Sequence, residues 1–191
     1  MKKWLTAILV LLSTFAMAQS EEKLELGQKR NLDTFFSNFS EANVQSFKEG
    51  SLSDGALLNF ALEHNYKNNF KSLKKSADGQ SVIVPASTVD KTTIKYFNLK
   101  INRHMKEAYP VPLADGEAYT FSQISRLVNR GDGLFQAEGV IYSTGSGGTP
   151  NPHGTPAEWE KKGEDVSRVG TFSALIRAES ERYILLEYTV R

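Results

Sequence analysis

The residues best equipped for chemistry in this sequence are few and scattered. Its three histidines, His64, His104 and His153, each stand alone in their segments, whereas a metal site draws on ligands paired at a short interval such as H-x-x-x-H. No metal site is expected from them, and no cysteine exists to supply a thiolate. A serine nucleophile is equally hard to place. Ser146 has Gly148 two residues after it, but Thr144 stands two residues before it, so the elbow that exposes a nucleophile at a strand-to-helix turn is incomplete. The run Gly145-Ser146-Gly147-Gly148 lacks the Lys-Ser or Lys-Thr ending of a phosphate-gripping loop, and it lacks the spacing of a dinucleotide fingerprint. These patterns assign no catalytic residue and no cofactor.

The segment 143–165 differs from everything around it. It holds Gly145, Gly147, Gly148, Gly154 and Gly163 and three of the chain's six prolines, Pro150, Pro152 and Pro156, with no helical or strand period. A connection longer than about 12 to 15 residues without structure of its own is usually functional or disordered. This one carries His153, Glu158 and Trp159, and Tyr142 opens onto it. Aromatic residues beside a flexible loop are typical of recognition surfaces. Tyr142, His153, Glu158 and Trp159 are therefore the candidate binding residues, with Tyr109 and Tyr119 as further exposed aromatics. The loop itself is expected to be a mobile flap or a floppy insertion, dispensable for folding. Two other matches have local explanations. Arg130-Gly131-Asp132 sits in a turn where Gly and Asp are the expected residues. The glycosylation pattern Asn38-Phe39-Ser40 falls within a helix whose Phe39 belongs to a buried stripe, so no glycan is expected there.

The address is legible at the N-terminus. Lys2 and Lys3 precede an apolar run at 4–12, and Ala16-Met17-Ala18 presents small residues around a cleavage point, the three parts of a secretory signal. The run is interrupted by Ser13 and Thr14 and falls short of the roughly 18 apolar residues that a span requires. Residues 1–18 are read as a cleaved signal peptide, with no membrane span afterwards and a periplasmic or secreted destination. Lys and Arg total 23 against 22 Asp and Glu. Losing Lys2 and Lys3 leaves one acidic residue in excess, which offers no bulk attraction for nucleic acid or an anionic membrane. Without cysteine there is no disulfide, so stability must come from a core. The processed chain is long enough to bury about 70% of its unfolded surface.

The elements that must position these residues follow from periodicity. Residues 19–30 are a charged lead-in, and 31–191 are expected to form a single domain. A first helix is predicted from a cap at Asn31 to Gly50, with Leu32, Phe35, Phe36, Phe39 and Phe47 on its apolar face. A second starts at Ser53 or Asp54, buries Leu57, Leu58, Ala61 and Leu62, and stops at Asn65 or the Asn68-Asn69 pair. The basic stretch 71–80 is read as solvated surface, and Val82, Ile83 and Val84 as an edge strand closed by Pro85. A third helix is capped by Ser87 or Thr88, with Val89, Ile94, Phe97 and Ile101 inward and Pro110 and Pro112 forming a stiff connector beyond it. From Ala118 the period changes to two. Residues 119–128 and 135–142 make one hairpin about the turn 129–133, and 166–178 and 183–190 make another. Phe172, Ala174 and Ile176 are expected to share one face of that second pair, as are Ile184, Leu186, Tyr188 and Val190.

Helices first and antiparallel strands afterwards define an α+β fold, N-terminal helices packed on one face of a curved antiparallel sheet. In element order the layout resembles cystatin-like and nuclear-transport-factor-like folds and several secreted bacterial domains of unknown function. The resemblance spans most of 31–191 and implies helices cradling a curved sheet. With no catalytic, metal or nucleotide motif, the function expected is that of a non-enzymatic binding or accessory domain of the bacterial envelope, its partner a protein, peptide or glycan. The alternative is a small hydrolase of cell-wall or peptide material, with His153 or His104 meeting a carboxylate such as Glu158 or Asp165. Mass spectrometry of the protein recovered from the envelope should find a chain beginning near Gln19; recovery with residues 1–18 attached overturns the signal assignment.

Overall fold

The computed structural model describes residues 20–114, 118–145, 148, 150–180 and 182–191; the segment 1–18, expected to be a signal peptide, and Ser146 lie outside the described residues. Among the described residues are four helices, α1 (Leu26–Glu41), α2 (Asp54–Asn69), α3 (Ala86–Phe97) and α4 (Pro156–Lys162). The strands are β1 (Ser20–Glu21), β2 (Lys74–Lys75), β3 (Ser81–Pro85), β4 (Ala108–Pro112), β5 (Thr120–Gly131), β6 (Leu134–Thr144), β7 (Val166–Glu179) and β8 (Arg182–Val190). They form two antiparallel sheets, one ordered β1-β5-β6-β7-β8 and one ordered β2-β3-β4. The fold is α+β, as the change of period predicts, with a second sheet that the sequence reading did not foresee.

Helix α1 begins at Leu26, not at Asn31, because Lys29 pairs with Asp33 one turn on, at 2.8 Å. The supposed lead-in is thus partly structured: Glu21 and Ser20 pair with Val128 and Asn129 of β5. The helix stops at Glu41, well before Gly50, because Asn43 turns left-handed at φ 50°. Phe47 therefore lies beyond the helix, exchanging backbone hydrogen bonds with Tyr188 of β8 at 2.8 and 3.0 Å. Ser53 does cap α2, accepting from the Ala56 N–H. That helix runs past Asn65, whose buried amide donates to the Ala61 carbonyl and to Thr92 Oγ1 of α3. In α3 the inward face is Val89, Thr92, Thr93, Tyr96 and Phe97, while Ile94 is exposed. Its start is also displaced, with Pro85 rather than Ser87 or Thr88 at the cap.

The strand assignments hold with corrections of register. Gly131, Asp132 and Gly133 all take positive φ (86°, 51° and 74°), which confirms turn chemistry as the reason for the Arg-Gly-Asp tripeptide. β3 is a central strand, not an edge, and the proline connector is its neighbour β4. Pro110 and Pro112 alternate with the buried Tyr109 and Val111, the placement in which missing N–H groups face away from the sheet. A register step between Leu175 and Ile176 pairs Ile176 with Leu185 but Ala174 with Tyr188. Ile184 and Leu186 are buried, as predicted, while Leu185 joins Tyr188 in the main apolar cluster with Tyr183 partly buried against it. Further steps in β5–β6 and β6–β7 bend the large sheet.

Helices α1 to α3 and both sheets meet in one continuous apolar cluster. Phe36 is fully buried at its centre, with the Phe172 ring 4.4 Å away and Phe35 edge-on at 5.2 Å. Leu58, expected in the core, is only half-buried against it. Phe36→Ala should lower unfolding free energy by about 3 to 5 kcal/mol, read by denaturant titration; an unchanged midpoint would refute the packing described.

Candidate functional site

From Pro150 to Asp165 the segment holds a helix and fixed turns, where a flap was expected. Thr155 and Glu158 cap α4 reciprocally: the Glu158 N–H donates to Thr155 Oγ1 and the Thr155 N–H to Glu158 Oε2 at 2.7 Å. Those bonds hold the Glu158 carboxyl below the usual range, so this candidate side chain serves as a cap. Trp159, expected to be exposed, is 2% exposed. Its ring lies edge-on to Phe121 and Tyr142, at 5.5 and 5.1 Å, and its indole N–H donates to the Asn151 carbonyl at 2.9 Å. Gly154 permits this, since a Cβ there would sit 2.7 Å from the indole nitrogen. Tyr142 is half-buried and stacks on Phe121, and Tyr109 is buried. The placements of Trp159, Tyr142 and Tyr109 are packing, and residues 150–163 form an ordered cover over Phe121 and Tyr142.

His153, the fourth candidate, meets a carboxylate, though neither Glu158 nor Asp165. Its Nδ1 is 3.3 Å from Oδ2 of Asp33, a residue of α1 only 1% exposed. Asp33 also accepts from Lys29 Nζ at 2.8 Å and, through Oδ1, from the Ile124 N–H at 2.7 Å. Gln123 secures the same loop by donating to the Pro152 and Gly154 carbonyls, at 2.7 and 2.8 Å. His104 is similarly engaged, with Nε2 2.9 Å from Asp90 and Nδ1 3.0 Å from the Tyr109 hydroxyl. Both pairs join separate segments, and neither histidine lines a cleft described here.

A concavity lies elsewhere, at the end of the large sheet where α1 and α2 terminate. A cleft of about 400 Å³ is bounded by Ser40, Glu41, Val44, Lys67, Thr120, Ile141, Ser143, Val169, Tyr188 and Val190. A second, of about 300 Å³, shares Glu41, Lys67 and Thr120 with it and adds Asn68 and Tyr119, so the two form one trough past Glu41. Asn68 Nδ2 donates to Glu41 Oε2 at 3.1 Å, and Lys67 Nζ to the Glu41 carbonyl at 2.6 Å. Burial raises the Glu41 carboxyl above the ordinary carboxylate range against the opposing pull of Asn68, Lys67 and Tyr119. Burial and this carboxylate push Tyr119 up to about 12. Tyr188, wholly buried, lines the first cleft, and burial pushes its hydroxyl up against the opposing pull of Ser122. The arrangement can bind a ligand with polar and aliphatic parts. Among the described residues no group of three His, Asp or Glu could hold a metal.

Comparison with protein-family models, with curated proteins and with solved structures finds no match to the chain. Sequence reasoning missed Glu41, Lys67 and Tyr188 as site residues, because only the fold brings together the ends of α1, α2 and β8. It missed α4 for a different reason: Thr155-Pro156-Ala157-Glu158 is itself a capping-box signature with proline at the first helical position.

One turn from Lys67, His64 stacks on Phe60 and is nearly buried, and burial lowers it from 6.5 to about 4. A histidine held neutral in the fold but free to charge when unfolded destabilises the fold as pH falls. Stability should drop by roughly 3 kcal/mol between about pH 6.5 and pH 4. His64→Gln should flatten that part of the profile in denaturant titrations; an unchanged slope would contradict the assignment.

Proposed function

We propose that the protein is an exported binding module of the bacterial envelope, which takes its ligand in the trough beside Glu41. The observation that carries this reading is the trough itself, at the low end of the roughly 300 to 1,000 Å³ of ligand sites. It sets a carboxylate, an amide and hydroxyls against the aliphatic wall of Val44, Ile141, Val169 and Val190. The signal at 1–18 supports export. The hydrolase alternative requires a histidine–carboxylate pair and a hydroxyl in one cleft; Asp90, His104 and Tyr109 come nearest, but line neither cleft of the trough.

Ser143→Trp, which places a large ring in the cleft, supplies the test. Immobilised wild-type protein should retain envelope components that this variant does not, at matched melting temperatures. Equal retention by both would move the recognition surface away from the trough. Fragments released from cell-wall or peptide material, dependent on His104, would establish the hydrolase instead.

A further inference from the structure

A pocket of about 350 Å³ lies apart from the trough, where α1, α3 and the start of β8 meet. Asn31, Thr34 and Asn38 recur at helical spacing and turn one stripe of α1 toward it. Its aromatic wall is Phe35, Tyr96 and Tyr183, with the Phe35 ring 6.1 Å from Tyr96 and 5.8 Å from Tyr183. Phe35 and Tyr96 are buried, so the half-buried Tyr183 presents the accessible ring. Two cations, Lys95 and Arg182, complete the lining, and among the described residues no carboxylate lines it. Arg182 is held in place, donating to the Ile94 carbonyl at 3.0 Å, to Asn98 Oδ1 at 3.3 Å and to Glu179 Oε2 at 3.1 Å. Lys95 is not. Its ammonium lies 4.9 Å over the Tyr96 ring and pairs with no carboxylate among the described residues.

Asn38 adds an acceptor whose direction is fixed. The side chain is 8% exposed, and its Nδ2 donates to the carbonyls of Thr34 at 2.8 Å and Phe35 at 3.4 Å. Both amide protons are spent inside α1, so Oδ1 is left to accept, and no described residue donates to it. We infer that this pocket is a second binding site, independent of the trough, for an acidic sugar, a pyranose ring that carries a carboxylate. The C–H face of the ring rests on Tyr183, a ring hydroxyl donates to Asn38 Oδ1, and the carboxylate meets Lys95 on the side that Arg182 keeps positive. A few convergent polar groups around an aromatic wall fix the orientation of a small ligand, and an ionic hydrogen bond is roughly twice as strong as a neutral one. A neutral sugar forfeits that bond. An aromatic acid satisfies Lys95 but brings no donor to the buried Asn38 Oδ1, the kind of loss by which a polar site rejects an analogue.

The probe is sodium glucuronate, titrated into the ¹⁵N-labelled protein with glucose and benzoate as paired controls. Saturable shifts are expected at the backbone amides of Asn31, Thr34, Lys95 and Tyr183 and at the side-chain amide of Asn38. Glucose and benzoate should each bind about tenfold or more weakly, and Lys95→Gln should weaken glucuronate about tenfold as a charge-assisted contact is lost, while leaving glucose unchanged. Thr34→Trp, at an exposed position of α1, should abolish the glucuronate shifts at a matched melting temperature. Equal binding of glucuronate and glucose, or of glucuronate to the wild type and Lys95→Gln, would overturn recognition of an acidic sugar. Benzoate binding as tightly as glucuronate would make the occupant an aromatic acid and overturn the sugar. No saturable shift at these residues would overturn the site itself, while the trough is judged separately by the Ser143→Trp comparison.

Discussion

The buried carboxylate of Asp33 joins α1, β5 and the loop before α4, and the relation of helix layer to sheet depends on it. β5 has β1 as its outer neighbour only at Asn129 and Val128. Along Ser122 to Ile124 that edge faces no strand among the described residues, and a buried amide left without an acceptor costs about 1 to 3 kcal/mol. Helix α1 supplies the acceptors: Ser37 Oγ takes the Ser122 N–H at 3.0 Å and Asp33 Oδ1 takes the Ile124 N–H at 2.7 Å. Four residues of helix rise about 6 Å and two residues of strand about 6.6 Å. The two spacings match, so the helix can follow the strand without breaking either ladder. Apolar packing alone could slide by a turn; these two bonds cannot. Taking a carboxylate out of water costs several kcal/mol, and Lys29, His153 and the Ile124 amide together offset that penalty.

Fixing α1 along β5 also fixes where it ends. Ser40 and Glu41 arrive at the open end of the sheet, and Asn43 turns the chain so that Phe47 can bond to Tyr188. The trough is the gap left between that helix end and the sheet. Burial raises two of its polar groups, the Glu41 carboxyl and the Tyr188 hydroxyl. Elsewhere the buried polar side chains Asp33, Asn65 and Thr92 are bonded. Residual imbalance of this kind concentrates where a protein meets its ligand.

Much of the fold was legible because buried stripes leave a period in the sequence. Phe35, Phe36 and Phe39, the Ser53 cap and both hairpins needed no tertiary information. What the period could not reveal was anything set by long-range partners. Asn65 reads as a helix stop but is retained inside α2 because Thr92 of α3 accepts its amide. Ile184 and Leu186 are buried as their alternation predicts, yet only the register step opposite Leu175 explains why Leu185 between them is buried as well. Trp159 in a Gly- and Pro-rich stretch reads as exposed, whereas Phe121 and Tyr142 offer its ring a pocket from strands distant in sequence. The trough was illegible for the same reason, since its walls come from α1, α2 and four strands of the sheet.

Sheet edges elsewhere in the molecule are protected by recognisable devices. β2 is two exposed lysines long, and β4 carries Pro110 and Pro112; short length, lysine and proline all blunt an edge. β1 is equally short, and α1 covers β5 beyond it. On β8, Phe47 bonds to Tyr188, Ser46 Oγ accepts from the Val190 N–H at 2.9 Å, and Arg182 reaches the Ile94 carbonyl of α3. Along Val166–Gly170 of β7 the device is a bulge at Val169, where the register with β6 steps between Ile141 and Tyr142; a bulge bends and twists an edge away from a further strand.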